Sequence, residues 1–134
     1  MLRPPGTTAV LADPHEIVNV MGMDGWRYML KSSQGLPVEF FWQVPPCVPA
    51  TCMETSGGEV GLAELEQALQ LYPDCPALAE MMNYPGVLYG SPAVAELIQS
   101  AQEKGLSVEG HAHGSGQNLA RRTKLLLRHF HVII

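Results

Sequence analysis

The chain has 134 residues, of which 46% are apolar, and a formal net charge of −5 at pH 7. This length and apolar content suit one ordinary domain with a core of its own. Charged residues make up 16% of the chain, and the acidic balance argues against a nucleic-acid-binding surface. No stretch has the ~20 apolar residues that cross a membrane, and the amino terminus lacks a signal-peptide pattern. We therefore expect a cytoplasmic protein whose partner is a small molecule or another protein.

Short apolar runs alternate with amphipathic stretches along the chain. The predicted strands are 7–13, 38–44, 77–82 and 106–111, and the predicted helices are 16–33, 62–71 and one that opens at Ser91-Pro92 and closes at Gly105. The stretch 83–90 (NYPGVLYG) predicts a turn and a loop, because proline and glycine interrupt it. Strands that alternate with helices of this length indicate βαβ units and a parallel sheet, and hence the α/β class.

Polar side chains follow three of the four predicted strands. They are Asp13, His15 and Glu16 after the first, Glu80 and Asn83 around the end of the third, and His111 and His113 after the fourth. In parallel α/β proteins, functional groups gather at the carboxyl ends of the strands, so we expect these side chains to converge. Carboxylate and imidazole ligands suit a zinc, iron or manganese ion.

Each of these residues also has a structural interpretation. Glu80 lies in an apolar run, where its charge calls for a bound cation, an arginine partner or a proton. Asp13 or His15 is also suited to capping a helix, with Glu16 at the positive end of its dipole. His111 suits a hydrogen-bonded packing role as well as a metal. The three cysteines match no zinc spacing and are expected to be reduced thiols.

Several blocks together resemble the bacterial adenine deaminases of the amidohydrolase superfamily. They are ADPHEIVNVMG (12–22), GLP (35–37), CVPAT (47–51), ETSG (54–57), LAEMMNYPGVL (78–88) and EGHAHG (109–114). The resemblance covers roughly residues 5–119. It implies a hydrolase that converts adenine to hypoxanthine and ammonia in purine salvage. It also implies a metal-dependent (β/α)8 TIM-type barrel with Mn²⁺ or Fe²⁺, of which this chain supplies about the second to fifth strands.

The resemblance also implies roles for single residues. Glu80 matches the fourth-strand carboxylate that bridges the metals, and His111 matches the fifth-strand histidine ligand. His113 stands where relatives usually have proline, so no ligand role is assigned to it, although it is expected near the site. His15 and Glu16 match a motif beside the site, with an open role. The catalytic acid and base are not identified in this chain.

The same resemblance implies that the chain is incomplete as an enzyme. The first-strand His-x-His, the sixth-strand histidine and the eighth-strand aspartate of the family have no match here. We therefore expect a partial barrel domain over 1–119 that is inactive by itself and associates through open sheet edges. Residues 120–134 (ARRTKLLLRHFHVII) form a basic tail that departs from the family pattern.

Two other functions remain open at this point. One is a non-catalytic half-barrel module that pairs its sheet edges with another chain, with the basic tail as a docking segment. The other is an amidohydrolase with a different substrate, because a fold and a metal do not fix the base that is recognised.

Overall fold

The computed structural model describes residues 6–110. Within this range it contains four short strands and five helices. In chain order they are β1 (Ala9–Ala12), α1 (His15–Met21), α2 (Met23–Ser32), β2 (Glu39–Trp42), α3 (Leu62–Leu71), β3 (Ala77–Glu80), α4 (Tyr84–Tyr89), α5 (Pro92–Glu103) and β4 (Ser107–Glu109). No helix within this range is long and apolar enough to cross a membrane.

All the strand pairs are parallel. β1 pairs with β2 along its whole length, and β3 pairs with β4. Val44, just past β2, joins the two pairs by a bridge to Leu78, and the Ala79 N–H donates to the Val44 carbonyl oxygen at 2.8 Å. The predicted mixed α/β architecture with parallel strands is therefore confirmed, and the strands neighbour one another in chain order. Their carboxyl ends consequently lie at a common edge.

The core lies between these strands and the helices. Trp26 of α2, Leu65 of α3 and Leu78 of β3 are completely buried. The Trp26 indole Nε1–H donates to the Gln43 carbonyl oxygen at 3.0 Å, so its polar group is satisfied where it is buried. This bond ties α2 to the end of β2.

The prediction of a single continuous helix over 16–33 is wrong. Two helices occupy this range, and Gly22 separates them with φ 58° and ψ −145°. A helix cannot continue through this conformation, which glycine adopts at little cost. The break lets α2 fold back on α1. Gly25 permits the close approach, since a Cβ there would lie 2.7 Å from the Ile17 carbonyl oxygen.

The prediction of a turn and loop over 83–90 is also wrong, because α4 occupies most of this stretch. The Asn83 side-chain Oδ1 accepts a hydrogen bond from the Gly86 N–H at 3.0 Å and caps the helix. Proline is compatible with the first turn, where its missing N–H is not needed. The next helix does begin after Ser91, although the Ser91 hydroxyl makes no capping hydrogen bond.

Candidate functional site

The turn between β1 and α1 is fixed by one carboxylate. Asp13 Oδ1 accepts a hydrogen bond from the His15 backbone N–H at 3.1 Å, and Oδ2 lies 3.2 Å from His15 Nδ1. The second approach lacks the alignment of a hydrogen bond, so the backbone contact is the one that holds the turn. Asp13 lies one residue before Pro14, the N-cap residue of α1, which makes no side-chain capping hydrogen bond, and the Asp13 carboxylate accepts from the backbone N–H of the first residue of the helix. Glu16 lies exposed in the first turn of α1.

Asp13 also reaches the end of β3. Burial has the largest effect on the Asp13 carboxyl and raises its pKa above the ordinary value of 3.8. His15 acts in the opposite direction, and a hydrogen bond from the Glu80 backbone N–H also lowers the pKa, by less. Glu80 itself is half-buried at the end of a strand whose other residues are buried. The ends of β1 and β3 therefore meet at Asp13, as the strand-end pattern predicts.

A cysteine lies at the same place. Cys47 is 4% exposed, its Sγ accepts a hydrogen bond from the Asn83 N–H at 3.2 Å, and it lies 3.2 Å from Met81 Sδ. Burial raises the pKa of the Cys47 thiol, and the charges of Asp13 and Glu80 raise it further. The thiol is therefore protonated at neutral pH and lies within the field of both carboxylates.

Sequence reasoning assigned no role to Cys47. A signal was available, since Cys47 follows the second strand as Asp13 follows the first. The spacing of the three cysteines carried no such information, because only the adjacency of strand ends brings Cys47 to the site.

A cleft of about 280 Å³ opens beside this cluster. It is lined by His15, Glu16, Asn19, Cys47, Ala50, Glu54 and Met82. A larger cleft of about 650 Å³ runs along β2, from Thr8 and residues 35–39 at the amino ends of β1 and β2 to Trp42, the last residue of β2. The smaller cleft contacts the strand-end groups His15, Glu16 and Cys47. The volume of a cleft does not by itself identify the site of chemistry.

The donor groups at the strand ends decide whether a metal ion fits there. No three His, Cys, Asp or Glu side chains within residues 6–110 come together as a metal-binding group. Glu80 offers a carboxylate at the correct edge, whereas Asp13 is engaged by two backbone N–H groups and faces His15. His111, His113 and the basic tail lie outside the described residues. The described residues can therefore supply one metal ligand, the Glu80 carboxylate, but not a complete set of ligands.

Comparison with known proteins bears on the identity of the chain. No protein-family model matches it. It is 49% identical over 115 residues to an adenine deaminase of Desulfatibacillum aliphaticivorans, a match that covers 85% of this chain and 20% of that protein.

Two further relatives give the same result. An adenine deaminase of Syntrophobacter fumaroxidans is 50% identical over 109 residues, covering 81% of this chain and 18% of the relative. An adenine deaminase of Thermosipho melanesiensis is 43% identical over 121 residues, a match that covers 89% of this chain and 21% of the relative. The chain thus spans about a fifth of the length of these curated relatives. The resemblance seen in its sequence blocks is confirmed: the chain is similar to one segment of the adenine deaminases.

Proposed function

We propose that this chain forms part of the catalytic barrel of an adenine deaminase, which hydrolyses adenine to hypoxanthine and ammonia in cytoplasmic purine salvage. One observation carries the proposal. The Asp13 carboxylate contacts both His15 and the backbone of Glu80, so two segments that match adenine deaminases share one polar site at the strand ends. Hydrolytic chemistry at a purine needs such a convergence of carboxylate and imidazole groups.

The parallel strands support the barrel part of the proposal. In a (β/α)8 barrel, consecutive strands are parallel neighbours and the site lies at their carboxyl ends. β1 to β4 follow each other in this way. We assign them to the second to fifth barrel strands, within a barrel segment over 1–119, with 120–134 as a separate tail.

Glu80 and His111 are the metal ligands that we propose. Carboxylate oxygen and imidazole nitrogen suit Mn²⁺ or Fe²⁺, and the remaining ligands would come from other strands of the barrel. A bound metal ion of this kind activates water and stabilises the charge that develops during attack on the purine. Glu80 closes β3 beside the Asp13 turn, which places its carboxylate at the strand-end edge.

His15 is the candidate for moving a proton. Its Nδ1 faces the Asp13 carboxylate at 3.2 Å, while its imidazole lines the cleft. The other ring nitrogen, Nε2, is the atom that would exchange a proton with a bound molecule. Glu16 and Glu54 line the same cleft and supply acceptors for the amino group or ring N–H of a purine.

A chimeric enzyme tests the proposal. Residues 5–119 of this chain would replace the matching segment of the Desulfatibacillum aliphaticivorans adenine deaminase, and adenine-dependent ammonia release would be measured. We expect an active chimera, and a loss on the order of 10³-fold in Glu80→Gln because one metal ligand is lost. The matched control is Glu96→Gln, on the exposed face of α5. A correctly folded chimera with full activity after Glu80→Gln contradicts the role of Glu80.

The 134-residue chain by itself is expected to be inactive, because its described residues supply one carboxylate and no complete ligand set. Ammonia release by the purified chain that requires adenine and stops with a chelator would refute this expectation.

Open strand edges favour a second candidate function. Within residues 6–110, β1 and β4 each have a strand on one side alone, and Leu11 of β1 is 51% exposed. Unpaired edges of this kind pair with other chains. A non-catalytic assembly module would give a discrete oligomer in size-exclusion chromatography with light scattering. A monomer, or a polydisperse aggregate, argues against this candidate.

A further inference from the structure

The outer wall of the cleft beside His15 is a loop that is held by backbone contacts at its base and at its far end. The cleft has α1 on one side, with His15, Glu16 and Asn19, and the loop between β2 and α3 on the other, with Ala50 and Glu54. The loop is closed at its base by the Val60 N–H, which donates to the Val48 carbonyl oxygen at 2.9 Å. Its far end, at 56–58, lies on the junction of α1 and α2.

Glycines make this far contact possible. The Gly57 N–H donates to the Asn19 carbonyl oxygen at 2.8 Å, and a Cβ on Gly57 would overlap the carbonyl oxygen of Val20. A Cβ on Gly58 would lie 2.5 Å from Gly22 Cα and 2.7 Å from Gly22 N. Real side chains do not approach backbone atoms so closely, so the two segments meet as bare backbone.

The partner surface is equally constrained. Gly22 has φ 58°, and its conformation turns the chain from α1 into α2. Within the loop, the Ser56 hydroxyl donates to the Gly58 carbonyl oxygen and braces residues 56–58. Asn19 takes part in both the loop contact and the cleft, since its carbonyl oxygen accepts the hydrogen bond from Gly57 and the residue also lines the cleft. Any change in this contact is therefore transmitted to the cleft.

We infer that Gly57 and Gly58 are positioning residues that hold the 50–58 loop as the wall of the cleft opposite His15. The contact fixes where Ala50 and Glu54 lie relative to α1, and thereby the width of the space that a bound molecule occupies. The identification of that molecule as a purine rests on the proposed function. The positioning role itself does not.

Thiol labelling of the intact chain tests the loop directly. Cys47 lines the cleft and is 4% exposed, whereas Cys75 is 5% exposed and lies before β3, at the opposite end of that strand. Alkylation of each cysteine would be followed by mass spectrometry in the wild type and in Gly58→Ala. We expect Cys47 to react about tenfold faster in the variant, because the loop opens locally, with Cys75 unchanged.

The controls separate loop release from general destabilisation. Gly61→Ala is the matched variant, since a Cβ there has its nearest neighbour, Glu64 Oε2, at 3.5 Å. It should leave both rates near those of the wild type. Equal acceleration of Cys47 and Cys75 in Gly58→Ala would mean that the whole core is weakened, and unchanged rates would mean that the contact does not hold the loop. Either result overturns the inference.

The chimeric enzyme gives a second readout. There, Gly58→Ala is expected to raise KM for adenine about tenfold with little change in kcat, because the cleft is widened while the proton-transfer groups stay in place. A fall in kcat with KM unchanged contradicts the inference. An inactive chimera bears on the proposed function alone, since the labelling experiment needs no activity.

Discussion

The two clefts differ in the side chains that border them. The larger cleft begins at the amino ends of β1 and β2 and continues along β2 to its last residue, beside the stacked rings of Phe40 and Trp42, whose centroids are 5.4 Å apart. The smaller cleft, at the carboxyl ends, borders a turn built on Asp13, with His15 and the end of β3 in contact with it. The larger cleft is bordered mainly by packed aromatic groups, and the smaller one by titratable groups.

The two clefts therefore differ in their effect on stability. Aromatic packing along β2 buries apolar surface and adds to the free energy of unfolding. Burying Asp13 beside the smaller cleft has the opposite effect, since its pKa is raised by lost hydration. A buried ionisable group that lowers stability in this way is a candidate for function. Changes at the two clefts should therefore affect different properties.

The largest effect on stability is expected from Trp42→Ala. Trp42 is 5% exposed, stacks on Phe40, and donates its indole N–H to Ser33 Oγ at 2.9 Å. Its removal should lower the free energy of unfolding by about 3–5 kcal/mol, measured by urea denaturation. In the chimeric deaminase, the folded fraction should keep its kcat/KM.

Ser33→Ala separates the hydrogen bond from the packing. It removes the acceptor of the Trp42 indole and should cost about 0.5–1.5 kcal/mol. If Trp42→Ala lowers the free energy of unfolding no more than Ser33→Ala does, or if kcat/KM falls in the folded chimera, the proposed division between the two clefts is wrong.

An intermediate effect is expected from Asn83→Ala, at the carboxyl-end side. The variant loses the side-chain cap of α4, and the free energy of unfolding should fall by about 1 kcal/mol. Asn83→Asp keeps a side-chain acceptor and is the matched control, expected to retain most of this stability. The Cys47 contact uses the backbone N–H of residue 83, so both variants should leave it in place. A loss in Asn83→Asp equal to that in Asn83→Ala would contradict the capping role.

The smallest effect is expected from Asp13→Asn, and it depends on pH. Because the pKa of Asp13 is raised in the folded state, the unfolded chain releases this proton first as the pH rises above 3.8. The contribution of protonated Asp13 to stability is therefore present below pH 3.8 and is lost as the pH rises through the folded-state pKa. Asn carries no such proton.

The comparison of Asp13→Asn with the wild type is thus made as a function of pH. The free energy of unfolding of the variant, relative to the wild type, should increase above pH 3.8 and become constant beyond the raised pKa. Urea denaturation at a series of pH values measures it. A difference that falls as the pH rises towards 3.8 and is constant above it would mean that the pKa of Asp13 is lowered, and that its surroundings stabilise the carboxylate.

Much of the fold was predictable from local pattern. Helix 62–71 was placed at its observed bounds, since its apolar spacing is regular and no proline or glycine interrupts it. The four strands were found, although each was predicted too long. The wrong predictions concern residue 22 and residues 83–90. There, the backbone conformation of Gly22 ends one helix, and the side-chain cap of Asn83 begins another. Pattern and propensity do not resolve such single-residue geometry.

The sequence by itself determined the class of the protein and the identity of its polar groups. Its alternating elements indicate parallel βαβ units, and its blocks match adenine deaminases, because both kinds of information are local along the chain. Only the tertiary structure decided that Asp13 meets the backbone of Glu80, that Cys47 lies beside them, and that Gly57 and Gly58 fit against Gly22. These contacts join residues far apart in the chain, and their distances depend on how strands pair and helices pack, which local preferences do not specify.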